Sequence, residues 1–220
     1  MSMPKNKLFN RGNVELSKPD RLSAFGHLNS SEFLNYLLEK SDKKLEGVDY
    51  RDLLNSNILA GAFEETVYYL PLAVDCLCSN NDDRGEMVDE FVDYLFVNKD
   101  KIEIFFNLEL KEILDHVLSC NVREYFVVQM NKTECRKLGW GIDGYRYVRR
   151  RGMVIELFKN ISKFKSGKDW IEKKIEELKN GNSIEKKWLY ELYEECNEIF
   201  GLYLDDDMML ELLDSLDNDV

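Results

Sequence analysis

The stretch GAFEETVYYLPLAVDCLCSNNDD, residues 61–83, gathers two glutamates, two tyrosines, a proline and two cysteines in what otherwise reads as a buried helix. On a helix Glu64 and Tyr68, like Glu65 and Tyr69, stand four residues apart, so each carboxylate can meet a tyrosine on its own face. The adjacent glutamates point about 100° apart and cannot bracket one bond as paired catalytic carboxylates must. The spacing therefore suits core beside surface, or contact with a partner, better than catalysis. Glu112 and His116 in EILDH also stand at i, i+4, from which two side chains can reach one metal. A carboxylate-bridged di-iron bundle, however, needs two Glu-x-x-His motifs, and the only histidines are His27 and His116. Cys76-Leu-Cys78 lacks the two-to-four-residue gap of zinc ligand pairs, and no second close Cys or His pair is recognised after it, so no metal or other cofactor is expected. GWGIDG has the wrong glycine spacing for a dinucleotide loop, SGK at 166–168 lacks the glycines of a P-loop, and no local sequence marks a nucleophile elbow. No catalytic residue is assigned, and a non-enzymatic role is expected.

Charge offers more. The formal net charge of −12 repels phosphate backbones and favours cationic partners. It is also uneven along the chain. Residues 146–179 hold 11 basic and five acidic side chains, whereas residues 180–220 hold two basic and 12 acidic. The YRYVRRRG run interleaves Tyr145 and Tyr147 with Arg146, Arg149, Arg150 and Arg151, a composition suited either to phosphate contacts with base stacking or to salt bridges with the anionic C-terminal part. The carboxylates expected at the surface are Asp82 and Asp83 in the loop after the opening helix, Asp89, Glu90 and Asp93 on the next helix, and Asp205, Asp206 and Asp207 near the C-terminus. Tyr94 and Tyr203 are the nearby aromatic candidates for interface anchors. The aspartate-rich terminus lacks the glycine and twelfth-position glutamate of an EF-hand, so calcium is not implied.

The elements that would carry these residues are mostly helical. Ser30 or Ser31 can cap a first helix, in which Phe33, Leu34, Leu37 and Leu38 recur at helical spacing. Pro71 must kink or restart the helix of the opening stretch. Residues 87–95 place Met87, Val88, Phe91, Tyr94 and Leu95 on one face and acids on the other. VREYFVVQM is rich in β-branched and aromatic residues and is a candidate short strand. KLGWGIDGYRYVRRRG reads as a glycine-punctuated loop joining two helical halves. Asp169 and Ser183 are candidate N-caps further on, and Gly181 and Gly201 candidate helix ends.

The expected architecture is a mostly α, compact multi-helix domain with room for one short strand or hairpin. Residues 1–27 form an irregular basic arm, and 28–220 a single helical domain whose two halves join near 139–152. With no apolar leader in the N-terminal segment, no run of about 18 apolar residues and an odd set of five cysteines, a cytoplasmic, reducing location is expected and a membrane is not.

In its acidic helical character and in the AGAFEETVYYLPLA phrase, residues 60–73, the chain resembles the bacterial immunity proteins that neutralise toxins delivered between competing cells. The phrase is no signature motif, and no family site is carried over with it. The resemblance implies a basic protein partner, a toxin domain and often a nuclease, inhibited by covering its active or nucleic-acid-binding surface. A helical regulatory or scaffold protein that binds RNA or phosphate through the basic 146–179 segment is the alternative.

Overall fold

The computed structural model describes residues 8–9, 16–22, 31–60, 63–79, 82–130, 142–201 and 203–217, and 81% of the described chain is helical, with no strand among those residues. The helices are α1 (Ser31–Glu39), α2 (Gly47–Ala60), α3 (Phe63–Thr66), α4 (Leu70–Cys78), α5 (Val88–Val97), α6 (Lys99–Phe106) and α7 (Leu110–Met130). They continue with α8 (Ile142–Ile161), α9 (Lys165–Lys179), α10 (Ser183–Glu195), α11 (Asn197–Phe200) and α12 (Asp206–Asp217). The chain divides into two compact units, Met1–Asn121 and Val122–Val220, with the division inside α7.

In the first unit, α2 packs on α5 and on the 3-10 turn Asp82–Met87. Leu53 and Leu54 of α2, and Phe91, Val92, Tyr94 and Leu95 of α5, supply core side chains. Pro71 restarts the chain rather than kinking it: a 3-10 turn, Val67–Tyr69, ends where α4 begins, and the proline sits in the first turn of α4, where its missing N–H has no intrahelical acceptor to lose. That turn also breaks the expected Glu64–Tyr68 and Glu65–Tyr69 register. Tyr68 donates to Asp42 Oδ2 at 2.5 Å, and Tyr69 is fully buried. Asn107, in the left-handed region at φ 48°, closes α6. Of the basic arm, two short pieces are described, and they pack on the body. Phe9 meets Phe106 edge-to-face at 4.9 Å, and Lys18 donates to Lys40 O and to Asp42.

The VREYFVVQM segment is the last part of α7, not a strand. Strand preference depends on a neighbouring strand to pack against. Here the apolar stripe Ile113, Leu114, Val117 and Leu118 already commits the helix, and no Gly or Pro interrupts it before Met130. The expected loop also changes: its residues 142–152 are the first half of α8, while 131–141 lie outside the described residues. A glycine inside a helix costs about 1 kcal/mol relative to alanine. Burial of Met153, Val154, Leu157, Phe158 and Ile161 on one face of α8 outweighs Gly144 and Gly152.

In the second unit, α10 packs against both α9 and α12. Neither expected cap holds. Asp169 lies inside α9, and Ser183 follows the true cap, Asn182, whose side chain accepts Glu185 N–H at 3.0 Å while the Glu185 carboxylate accepts Asn182 N–H at 2.9 Å.

Four tyrosines of the first unit make its stability sensitive to alkali. Burial pushes the hydroxyls of Tyr50, Tyr69 and Tyr94 well above the ordinary value near 10, and burial with the Asp42 hydrogen bond does the same for Tyr68. These groups are neutral in both states below about pH 10, so their contribution is fully present there. As pH rises further, the unfolded chain ionises first, and stability falls by up to about 1.4 kcal/mol per pH unit for each protected hydroxyl. Urea unfolding followed by far-ultraviolet circular dichroism, with tyrosinate absorbance recorded in parallel, checks this. We expect ionisation of these four to coincide with unfolding; their titration in the folded chain near pH 10 would refute the prediction.

Candidate partner-binding surface

A concave surface in the second unit is built from the outer face of α9 and the chain leading into α12. In α9 the buried residues Trp170, Ile171, Ile175 and Leu178 form the inward stripe. Helical periodicity then places Asp169, Glu172, Lys173 and Glu176 together on the other side. With Tyr203 and Met208 from the approach to α12 and its first turn, these residues line a groove of about 560 Å³, with Ile175 and Lys179 completing it. Lys179 reaches across to Met208, with Nζ 3.7 Å from the thioether sulfur.

The entry to α12 is held by its own aspartates. Asp205 Oδ1 accepts Met208 N–H at 2.8 Å, which makes Asp205 the N-cap. Asp206 Oδ1 accepts the Tyr193 hydroxyl of α10 at 3.0 Å. Leu204, Met209 and Leu212 are buried, which anchors the segment while Asp205, Asp206 and Asp207 remain exposed. Tyr203 is half-buried; partial burial, then the charges of Glu172 and Asp169, raise its hydroxyl above the ordinary tyrosine range. It therefore stays a neutral donor at physiological pH. Carboxylates beside a neutral hydroxyl and an apolar floor of Ile175 and Met208 match a lysine or arginine side chain, whose methylenes lie on the floor while its head meets the acids.

The expected site residues separate into two groups. Tyr203 lines this groove, and Asp205, Asp206 and Asp207 stand in the chain between its lining residues Tyr203 and Met208, Asp205 with a structural task as N-cap. Asp89, Glu90 and Asp93 lie on α5 in the first unit, with Asp89 exposed, Asp93 half-buried, and Glu90 half-buried with its carboxyl pushed up by burial. The backbone of Asp82 and Asp83 is in the turn before α5, and their side chains lie outside the described residues. Tyr94 is corrected: it is fully buried, its hydroxyl 3.2 Å from Thr66 Oγ1, because the apolar face of α5 that it shares is turned into the core. It offers no surface anchor. The α9 acids were missed because they lie in the segment marked as basic. Their spacing at i, i+3 and i+7, Asp169, Glu172 and Glu176, was the signal that could have found them.

The basic segment is tempered by pairing. Lys159 faces Glu156 at 3.7 Å, Lys174 faces Glu177 at 2.9 Å and Lys179 faces Glu176 at 3.9 Å. Arg150 is buried and Arg151 half-buried, and the side chains of Arg146, Arg149, Tyr145 and Tyr147 lie outside the described residues. Among the described residues, Cys78, His116 and Cys120, all in the first unit, form the group of side chains that could hold a metal. No helix among the described residues is long and apolar enough to cross a membrane. No protein-family model, curated protein or solved structure matches the chain.

Proposed function

We propose that this chain is a cytoplasmic, non-catalytic inhibitor of the immunity-protein type, which captures a basic toxin domain and covers its active or nucleic-acid-binding surface. The observation that carries the reading is the groove lined by Asp169, Glu172, Glu176 and Tyr203 over Ile175 and Met208, in which the three carboxylates outnumber Lys173 and Lys179. A lysine or arginine of the toxin enters it, and Asp206 and Asp207 extend the negative field that steers the encounter. The ion pairs along α8 and α9, together with the burial of Arg150, favour this reading over RNA or phosphate binding by the same segment.

The test begins with tagged chain retrieved from its own cells and the stoichiometric partner identified and purified. Calorimetry then compares wild type with the Asp169→Asn/Glu172→Gln/Glu176→Gln variant. We expect a basic protein, bound about 100-fold more weakly by the variant, chiefly through faster dissociation. A partner that ribonuclease removes, or affinity lost on Arg149→Glu/Arg151→Glu and kept in the acid variant, would overturn the proposal in favour of the basic segment.

A further inference from the structure

We propose that Cys78, His116 and Cys120 form a zinc-binding site in the first unit, independent of the acidic groove. Cys78 is the last residue of α4; His116 and Cys120 stand one turn apart on α7. One ligand atom from each of the three lies within 4.8 Å of the other two. His116 Nε2 is 3.9 Å from Cys120 Sγ. In a tetrahedral zinc site, with bonds of about 2.3 Å to sulfur and about 2.0 Å to nitrogen, the ligand atoms stand roughly 3.5–3.8 Å apart. The His116–Cys120 edge is already near that length, and side-chain rotation at the helix end closes the remaining gap to Cys78.

The donor set selects the ion. Two thiolates and one imidazole are soft to borderline ligands, which suit zinc and disfavour magnesium or calcium, whose sites are built from oxygen. Two thiolates also cancel the charge of a divalent zinc, so the site needs no further anion. All three residues are half-buried, which shields the site while leaving it reachable from solvent. Each thiol passes its proton to solvent as zinc binds. The fourth position is open to water. The sequence separates Cys78 from the His116-x3-Cys120 pair by the whole of α5 and α6 and the start of α7, so only packing makes the three neighbours. Zinc here would staple the C-terminal end of α4 to α7, and by linkage would stabilise the first unit in proportion to its occupancy.

The experiment uses the full chain, reduced and stripped by chelator, titrated with zinc chloride and, in parallel, with cobalt chloride as a spectroscopic probe. We expect one zinc per chain, a thiolate-to-cobalt charge-transfer absorption with the visible bands of tetrahedral cobalt, and a higher unfolding temperature with zinc. Cys78→Ser and Cys120→Ser should each lower zinc affinity by more than the roughly 10- to 100-fold that losing an outer hydrogen-bond partner of a ligand costs. His116→Ala should do the same, and each variant is checked for native circular dichroism. Cys135→Ser and Cys196→Ser should bind as wild type. Absence of stoichiometric zinc or of the charge-transfer band would overturn the proposal. So would binding that survives all three ligand changes, binding lost on Cys135→Ser or Cys196→Ser, or a Cys78–Cys120 disulfide in chain isolated under reducing conditions.

Discussion

Phe158→Ala is expected to lower the stability of the second unit by about 4 kcal/mol, within the range for truncating a fully buried aromatic. Phe158 is fully buried on α8, with its ring centroid 5.8 Å from Trp170 of α9 and 5.9 Å from Trp188 of α10. It is therefore the ring on which three helices converge. Truncation removes its transfer free energy, leaves a cavity, and loses two aromatic pairs worth about 0.5–1.5 kcal/mol each beyond area burial. All three tryptophans, Trp140, Trp170 and Trp188, belong to residues 122–220, so tryptophan fluorescence in a urea titration follows this unit selectively. The expected result is a lower midpoint with unchanged slope. A loss below about 1 kcal/mol would mean that the tryptophans collapse into the space, against the expectation from close packing.

Gly167→Ala is expected to cost about 3 kcal/mol in the same titration, although helix propensity alone favours alanine by about 1 kcal/mol. The sign is decided by space. A Cβ at Gly167 would lie 1.8 Å from the carbonyl oxygen of Ile161, and 2.7 Å from both its carbonyl carbon and its Cγ2. Those backbone atoms end α8, and the carbonyl already accepts Phe164 N–H at 3.1 Å. No flexible side chain can yield, so the α8–α9 turn itself must open. An unchanged midpoint would show that the turn opens without cost, and the close approach would then have no energetic role. Gly152, with open space where a Cβ would stand, is the control that should gain from alanine.

The contrast between these two glycines also shows what could be read before the fold was known. Glycine types alone suggested a loop at 142–152, because the sequence does not say which glycine meets a backbone and which faces open space. The helices themselves were legible, since the period of Val88, Phe91, Val92 and Leu95 or of Trp170, Ile171, Ile175 and Leu178 is local. Pro71 likewise announced a kink or a restart, for its missing N–H acts within one turn, and the structure decides for the restart. The strand expected at VREYFVVQM failed because a strand needs a partner that no single segment can supply.

The candidate site was legible only in part. Tyr203 and the Asp205–Asp207 run were visible as an exposed acidic end, but the acids that line the groove with Tyr203, Asp169, Glu172 and Glu176, were hidden inside a segment of net positive charge. Tyr94 looked like an anchor because an amphipathic pattern marks the apolar face without saying whether a polar-tipped ring on it reaches water; its hydroxyl pairs instead with that of Thr66, 28 residues away.

What the sequence by itself determined is therefore the helical class, the apolar face of most helices and the opposed charges of the two C-terminal segments. Each follows from composition and from periods no longer than two or three turns. What only the tertiary structure decided is which side chains from distant helices share a space. The α9 acids share a groove with Tyr203, and Cys78 comes near His116 and Cys120, because helix packing brings those segments together and no local spacing encodes it.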